Sequence, residues 1–158
     1  DLSENTCDTG FAVTVRKSVH PFKNTLMLCP RVIIVGIGCK RNTDNEQIEN
    51  AVIACLNDMD ISIYAVEAVS SIDIKKNEKG LLDFCKKFNL ELRTFSAGEL
   101  SSVEGEFHES DFVMRVTGVG SVCERSAVFC SKGRLIMNKR VFDGVTVALA
   151  LKDWSCRF

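Results

Sequence analysis

The segment RVIIVGIGCKRNTDNEQIENAV, residues 31–52, restricts the possible folds more than any other part of the chain. The apolar run 32–37 predicts a buried β-strand, which leads through Gly36 and Gly38 into a polar loop. A helix is predicted to begin at Thr43. A strand, a glycine turn and a helix N-terminus together offer backbone N–H groups and the helix dipole to an anion. The segment therefore predicts an α/β fold with an anion site where the strand meets the helix.

The polar loop does not fit a dinucleotide-binding motif. Arg41 stands where the third glycine of that motif would be, so an NAD-binding domain is disfavoured. Cys39, Lys40 and Arg41 suit a carboxylate-rich ligand better, although a tight turn with two solvated cations explains the pattern about equally well. A helix N-terminus and two cations form an environment that lowers the pKa of a thiol, so a nucleophilic Cys39 is one alternative. Because no histidine near it in sequence could act as a base, we interpret Cys39 first as a packing or backbone-contact residue.

Composition narrows the class of protein. A chain of 158 residues is long enough for one domain with a full core. Its 20 Lys and Arg residues balance 21 Asp and Glu residues, so nothing indicates binding to nucleic acid or to a membrane surface. The eight cysteines contain no CxxC pair, and His20 and His108 are isolated in sequence. We therefore expect no metal site and a reducing, cytoplasmic location.

The sequence divides into three regions. Residues 1–30, which end at Pro30, are predicted to be the tail of a preceding domain and a linker. Strands and helices alternate over residues 31–152, which we expect to form one α/β domain, and residues 153–158 are predicted to be a C-terminal tail. Because the chain begins with Asp1 rather than Met, we expect it to be a fragment of a longer protein.

The alternation of strands and helices predicts a three-layer α/β fold, with a largely parallel sheet flanked by helices. After the first strand and helix, the patterns predict a strand over 61–70, a helix over 80–88 and a strand over 91–95. A turn at Asp143 and Gly144 between alternating apolar runs predicts a C-terminal β-hairpin. Ligands of such sheets bind beyond the carboxyl ends of the strands. The loops that we expect to converge there are residues 38–43, 71–77 and 96–98.

Polar and glycine-rich segments supply further candidates. Three helix starts carry a capping box, a hydroxyl at the N-cap with a carboxylate three residues later: Thr43 with Glu46, Ser96 with Glu99, and Ser121 with Glu124. Before the third start, Gly118 is interpreted as the residue that ends the helix DFVMRVT. The alternative is a functional role, a second anion site at the N-terminus of the helix that begins at Ser121. Ser71 and Asp73, at the end of the second strand, are interpreted first as residues whose side chains form hydrogen bonds with the loop backbone.

Five motifs, taken in order and at this spacing, resemble one family. VGIGCKRNT, SSIDIKKNEKGL, FSAGEL, TGVGSVCERSA and GVTVALA are similar to the C-terminal domain of the CbiG family, the cobalt-precorrin-5A hydrolases of anaerobic cobalamin synthesis. The single-domain CobE proteins of the aerobic route look similar over the same span, residues 26–151. Two positions depart from the family pattern: Asn42 stands where the family often has glycine, and Arg125 where it often has proline.

The resemblance implies a substrate and a reaction. Cobalt-precorrin-5A is a tetrapyrrole fringed with carboxylates and carrying a δ-lactone, which the family opens with water and from which it releases acetaldehyde to give cobalt-precorrin-5B. No cofactor is implied, because the substrate carries the cobalt. The implied partner is the protein's own N-terminal domain, which we expect to be needed for full activity. The oligomeric state is left open, a homodimer being one alternative.

Two other functions stay open. The first is a non-catalytic corrinoid-binding module of the CobE type. The second, a nucleotide-binding domain, is weakly supported because both glycine motifs lack the third glycine.

Lactone hydrolysis needs a base for water and stabilisation of an oxyanion. Ser71, Asp73 and Glu78 are the candidate catalytic residues, although none has the spacing of a hydrolase triad. His108, in the polar segment GEFHES, is interpreted as exposed and inert. Backbone donors and side chains that could bind the substrate carboxylates, with Arg115 as a further nearby cation, are Gly36, Gly38, Cys39, Lys40, Arg41, Lys75, Thr117, Gly118, Gly120 and Ser121.

Overall fold

The computed structural model describes residues 8–155, and they form two β-sheets. The smaller sheet pairs β1 (Thr9–Val13) with β2 (Asn24–Leu28) in parallel. The larger sheet, with five strands in the described range, has the order β5-β4-β3-β7-β6. Its strands are β3 (Ile33–Cys39), β4 (Val66–Ile72), β5 (Glu91–Phe95), β6 (Arg134–Phe142) and β7 (Val145–Leu151).

Helices cover both faces of the larger sheet. On one face lie α1 (Asn45–Asp58) and α2 (Lys79–Lys87), whose apolar residues join the main core. Three helices pack on the other face: α3 (Ala97–Ser101), α4 (Asp111–Thr117) and α5 (Val122–Ser131). No helix in the described range is long and apolar enough to cross a membrane. The predicted three-layer α/β class is confirmed.

The sheet is mixed in its pairing. β3 pairs with β4 and β4 with β5 in parallel, whereas β7 runs antiparallel to both β3 and β6. Four of the five strands in the described range therefore point the same way. The antiparallel pair at the end is the predicted hairpin, and its turn is Asp143-Gly144 with a left-handed φ of 76° at Gly144.

Strand β3 is the centre of the core, because both of its faces are buried. Ile33, Val35 and Ile37 face α1 and α2, and Ile34 faces α5. At Gly36 the backbone of α5 comes so close that a Cβ would overlap the carbonyl oxygen of Cys123. The apolar run at this strand is continuous rather than alternating for this reason, as is usual for a strand covered on two sides.

The start of α1 lies one residue later than predicted. Asp44, not Thr43, is the N-cap, and it forms the capping box with Gln47 instead of Glu46. The Thr43 hydroxyl donates to the carbonyl of Lys40 at 2.9 Å and so closes the preceding turn. Threonine and aspartate are both good N-caps. Because the Thr43 hydroxyl is used in the turn with Lys40, Asp44 becomes the N-cap.

Other boundaries differ more. β4 begins at Val66 rather than at 61, because Ile63–Ala65 form a 3₁₀ turn capped by the Ser62 hydroxyl. The Ser96 capping box is confirmed. At Ser121 the N-cap position is confirmed, but the hydroxyl donates to the Glu124 carboxylate instead of accepting a backbone bond.

The N-terminal region contains a strand that the sequence did not indicate. The segment NTLML, which lies in the predicted tail and linker, forms β2 beside β1. Arg16 makes an isolated antiparallel bridge to Ile61, so this region contacts the larger domain. That residues 1–30 are the tail of another domain stays a prediction, and residues 1–7 and 156–158 lie outside the described residues.

The contact at Gly36 predicts a large cost for a single methyl group. Gly36→Ala should lower the free energy of unfolding by about 1–3 kcal/mol, the usual cost of overpacking, because the Cβ would overlap the backbone at Cys123. Gly98→Ala is the matched control: it lies in α3 with nothing within 4 Å of a Cβ, and it should leave stability unchanged or raise it. Urea denaturation of both variants measures the difference, and equal stabilities would contradict the close packing of α5.

Candidate functional site

Three loops meet at the carboxyl edge of the larger sheet. β5, β4 and β3 are adjacent and parallel, so the chain leaves all three at the same edge. After β3 comes the loop that begins at Lys40, after β4 the turn Asp73–Lys75, and after β5 the start of α3. The convergence expected from the sequence is therefore present.

The loop after β3 carries two accessible cations. The Lys40 backbone N–H donates to the Gly144 carbonyl at 2.9 Å, which ties the loop to the hairpin turn. Its ammonium group lies 3.9 Å from the exposed carboxylate of Asp143, a distance at which an exposed pair contributes little. Arg41 is exposed as well. Asn42 has a φ of 58°, which explains why a residue tolerant of the left-handed region stands where the family often has glycine.

An ion pair beneath this loop fixes its shape. Lys75 lies 3.0 Å from Glu78, and both side chains are only 11% exposed. The second carboxylate oxygen of Glu78 accepts the backbone N–H of Asn42 at 2.6 Å. Burial alone would raise the pKa of Glu78, but the hydrogen bonds from Lys75 and Asn42 and the charges of Lys75 and Arg41 outweigh it and lower the pKa. Glu78 is therefore an ionised tether, and Lys75 is already paired.

The other catalytic candidates occupy different environments. Ser71 is completely buried within β4, and its hydroxyl donates to the carbonyl of Ile37 at 2.7 Å. It is therefore a cross-strand contact, out of reach of a ligand. Asp73 is exposed at the start of the turn after β4. The structure does not assemble Ser71, Asp73 and Glu78 into one catalytic group.

A cavity of about 550 Å³ opens where α1 and α2 begin. The two N-termini lie side by side, since Gly80 of α2 is in close contact with the Thr43 carbonyl before α1. Their N–H groups and dipoles favour an anion there. The charged residues in the lining are Arg41, Lys79, Asp44, Glu78 and Asp83.

Cys39 lies next to these groups but is not activated by them. Burial, the largest effect, raises the pKa of its thiol, and Glu78 adds to this while Lys75 opposes it. The expectation that nearby cations would activate the thiol is wrong, because desolvation dominates. The interpretation of Cys39 as a packing residue agrees with this environment. Gly38 beside it packs against Thr146, whose hydroxyl donates to the Gly38 carbonyl at 3.3 Å.

The second glycine motif is explained by local structure. Gly118 ends α4 with a left-handed φ of 75°, and its N–H donates to Met114 at 2.8 Å. Thr117 accepts the N–H of Val119 at 3.2 Å, and the carbonyl of Gly120 accepts from Ser110 at 2.8 Å. Arg115 is exposed on α4. The segment turns the chain from α4 into α5, whose N-terminus faces the same edge of the sheet as the end of β3.

Glu124, expected from the sequence only as a capping-box residue with Ser121, has a buried carboxylate at the start of α5. Glu124 is 0% exposed and accepts the backbone N–H groups of His108 at 2.7 Å and Lys139 at 2.9 Å. Ser121 donates its hydroxyl at 2.7 Å, and the His108 ring nitrogen Nδ1 lies 3.0 Å away. Burial alone would raise the pKa of Glu124, but these hydrogen bonds lower it below its ordinary value. His108 is thus exposed, as predicted, but it is not without a partner.

Arg125 holds the same region together. Its guanidinium donates to the carbonyl of Val103 at 2.8 Å and to Glu109 at 2.8 Å, and it stacks 4.6 Å from the Phe107 ring centre. These contacts fix the segment between α3 and α4 against α5. Arginine at a position where the family often has proline therefore has a structural role in this chain.

Within residues 8–155, no group of three or more His, Cys, Asp and Glu side chains could hold a metal ion. The six cysteines in that range are free thiols, and several belong to the core.

The Glu124 network predicts a defined dependence of stability on pH. Because its pKa is lowered by folding, its contribution is complete above the unfolded value of about 4.3 and is lost as the pH falls through the lower folded value. Glu124→Gln should lower the free energy of unfolding at pH 7 by about 1.5–3 kcal/mol. The difference from the parent should shrink below about pH 4.3. Glu99→Gln, in the exposed capping box of α3, is the control and should lower the free energy of unfolding by less. Urea denaturation at pH 7 and below about pH 4.3 measures both variants. A difference between Glu124→Gln and the parent that is the same at both pH values would contradict the prediction.

Comparison with known proteins identifies the family. The family model for the cobalamin synthesis G C-terminus matches residues 33–150. The chain is 32% identical to the cobalt-precorrin-5A hydrolase of Priestia megaterium over 130 residues, which are 82% of this chain and 34% of that protein. It is also 32% identical to the cobalt-precorrin-5A hydrolase of Salmonella typhimurium over 124 residues, 78% of this chain and 35% of that protein. The chain thus spans about a third of the length of these relatives.

A solved structure agrees with the family match. The crystal structure of CobE, a protein from the cobalamin biosynthetic pathway, superposes with a TM-score of 0.72 at 29% identity and covers 77% of this chain and 91% of that one. The match to the family model spans most of the larger sheet and its helices, from the start of β3 almost to the end of β7. The chain therefore belongs to the cobalamin synthesis G C-terminal family.

Proposed function

We propose that this domain binds a cobalt-corrinoid polycarboxylate and forms the C-terminal part of a cobalt-precorrin-5A hydrolase. The observation that carries the proposal is the loop after β3, where exposed Lys40 and Arg41 stand beside two helix N-termini in a protein of this family. Cations and backbone N–H groups are the donors that a ring fringed with carboxylates needs. The cobalt arrives with the substrate, and the proposal includes no further cofactor.

The ion pair below the loop supports a preorganised site. Because Glu78 accepts both Lys75 and the Asn42 N–H, the loop keeps its shape without a ligand. Binding of a ligand to Lys40 and Arg41 would then lose little conformational entropy of the loop. Among the three catalytic candidates, Asp73 alone is exposed, and the amides near Gly38 and Gly120 are the proposed oxyanion donors.

Turnover is proposed to need a second domain. The related hydrolases are about three times as long as the matched region. Ligand sites commonly lie at domain interfaces, where a second domain supplies missing groups and excludes water. We propose the N-terminal domain of the same protein as that partner. A cytoplasmic location is proposed from the free thiols of the described cysteines, which suit a reducing compartment.

The second candidate function is a corrinoid-binding module without catalysis. One observation favours it: the match covers 91% of the CobE chain, so a protein of this fold exists with almost no additional domain. Such a module would hold the macrocycle or transfer it to another enzyme. Release of acetaldehyde distinguishes the two functions, since a binding module would release none.

Removing the two cations should weaken binding of a corrinoid polycarboxylate. The double variant Lys40→Ala, Arg41→Ala should bind cobyrinic acid about a hundredfold more weakly, because each of the two charge-assisted hydrogen bonds contributes about 1.5 kcal/mol. The salt dependence of affinity should also flatten. Isothermal titration at several salt concentrations measures both effects.

The matched control removes the same charge elsewhere. Arg31→Ala with Lys86→Ala deletes two exposed cations, one before the amino end of β3 and one in the last turn of α2. This variant should bind like the parent. Equal affinities for the parent and the folded Lys40, Arg41 variant would refute the proposed site.

The isolated domain should bind corrinoid without efficient turnover. Titration of residues 1–158 with a stable corrinoid should give a saturable signal, while acetaldehyde release from cobalt-precorrin-5A stays near background. The full-length protein, assayed beside it, should release acetaldehyde. Release at the full-length rate by the domain alone would contradict the need for a second domain.

A further inference from the structure

The proposed reaction lacks a base among the groups considered so far. Ser71 is buried in a strand, and Glu78 is occupied by Lys75 and the Asn42 N–H. Asp73 is an exposed carboxylate at a turn, and the structure gives it no side-chain partner that would orient it within the described residues. Water attack on a lactone is assisted most by a group held in one orientation with a free lone pair.

His108 meets this requirement because a buried carboxylate holds its ring. Nδ1 lies 3.0 Å from Glu124, which is 0% exposed, while the His108 side chain is 62% exposed. An ionised carboxylate can only accept hydrogen bonds, so Nδ1 carries the proton in the neutral ring. The lone pair is then on Nε2, which has no hydrogen-bond partner in the described part of the chain. A carboxylate that fixes the histidine tautomer in this way is the arrangement used in hydrolase dyads and triads.

The backbone of His108 is fixed as firmly as its ring. Its N–H donates to the second oxygen of Glu124 at 2.7 Å, and its carbonyl accepts the Lys139 ammonium group. The amide of Asn138 flanks the ring at 3.4 Å from Nδ1. Two charged groups thus hold His108: Glu124 of α5 binds its ring and its backbone N–H, and Lys139 of β6 binds its carbonyl. These contacts distinguish His108 from a surface histidine that is surrounded only by solvent.

The position of His108 suits a ligand bound at the loop after β3. Its partner Lys139 precedes Arg140, which pairs with Val147 of β7, and Val147 pairs with Ile37 of β3. Two strand spacings, about 10 Å, therefore separate β6 from β3 at this level. Because His108 packs on the α5 face and the cavity at the starts of α1 and α2 lies on the other face, a ligand that contacts both must lie across the carboxyl edge of the sheet.

We propose that His108 is the general base of lactone opening and that Glu124 is its positioning residue; this rests on the proposed function. Nε2 takes a proton from water as the water oxygen bonds to the lactone carbonyl carbon. The lactone C–O bond then breaks, and its electron pair stays on the departing alkoxide oxygen. The proton on Nε2 passes to that oxygen, which leaves a free hydroxyl, a carboxylic acid and the neutral ring.

The test is acetaldehyde release by the full-length protein with His108→Ala and His108→Asn. Both variants should lose about 10²–10⁴-fold in kcat, the usual contribution of a general base, with the KM and the corrinoid affinity unchanged. The asparagine variant places an amide N–H where Nδ1–H stands, so it keeps a donor for Glu124 and controls for folding. Added imidazole should restore part of the activity of the alanine variant. His20→Ala, which removes the other histidine of the chain, should behave like the parent.

The outcomes separate this inference from the proposed function. Full activity in both His108 variants beside an active parent would overturn the role of His108 and leave the hydrolase assignment intact. A loss of corrinoid affinity without rescue by imidazole would also overturn it, because it would indicate a structural role. A full-length parent that binds corrinoid but releases no acetaldehyde would overturn both, in favour of the binding module.

Discussion

The close contact between α5 and β3 is the constraint on which the rest of the domain depends. Gly36 has no side chain, so the Cys123 backbone rests directly on the strand, and Ala127 lies within 2.9 Å of where a Cβ would be. Ala68 and Ala150, on the neighbouring strands, also have small side chains, so α5 can pack closely on this face of the sheet. This packing sets the direction of α5 and brings its N-terminus, with Glu124, to the carboxyl edge of the sheet. A larger residue at Gly36 would overlap the backbone of α5 at Cys123.

Local patterns were enough to predict the fold, because burial periodicity and turn chemistry act over short stretches of sequence. The continuous apolar run of β3 and the Asp143-Gly144 turn each specify their own structure. Where two local solutions have similar energy, the sequence does not choose between them. Thr43 and Asp44 are both good N-caps, and only the bond from Thr43 to Lys40 decides. β2 was missed for a related reason, since its short run gains its stability from pairing with β1.

The candidate site was predicted less completely, because its decisive contacts join residues that are distant in sequence. The location of Lys40 and Arg41 on the loop after β3 follows from the strand alone. The burial of Ser71, whose hydroxyl donates to the Ile37 carbonyl, cannot be predicted from the strand pattern. The same is true of the contact between His108 and Glu124, which are sixteen residues apart. Both depend on how elements pack after folding. A glutamate three residues after a serine reads as a capping box, and nothing in that spacing reveals that the carboxylate turns inward.

The buried Glu124 is itself an argument for function at this edge of the sheet. Removing an ionised carboxylate from water is costly, and replacing a buried ionic group by apolar residues of similar volume often leaves a protein equally or more stable. The chain instead surrounds Glu124 with donors from Ser121, Lys139 and His108, and it leaves the histidine ring largely in solvent. Stability alone would require neither the charge nor the exposed ring. The proposed function uses both features of this edge: an anchored histidine on one face of the sheet, and the exposed side chains of Lys40 and Arg41 on the loop after β3.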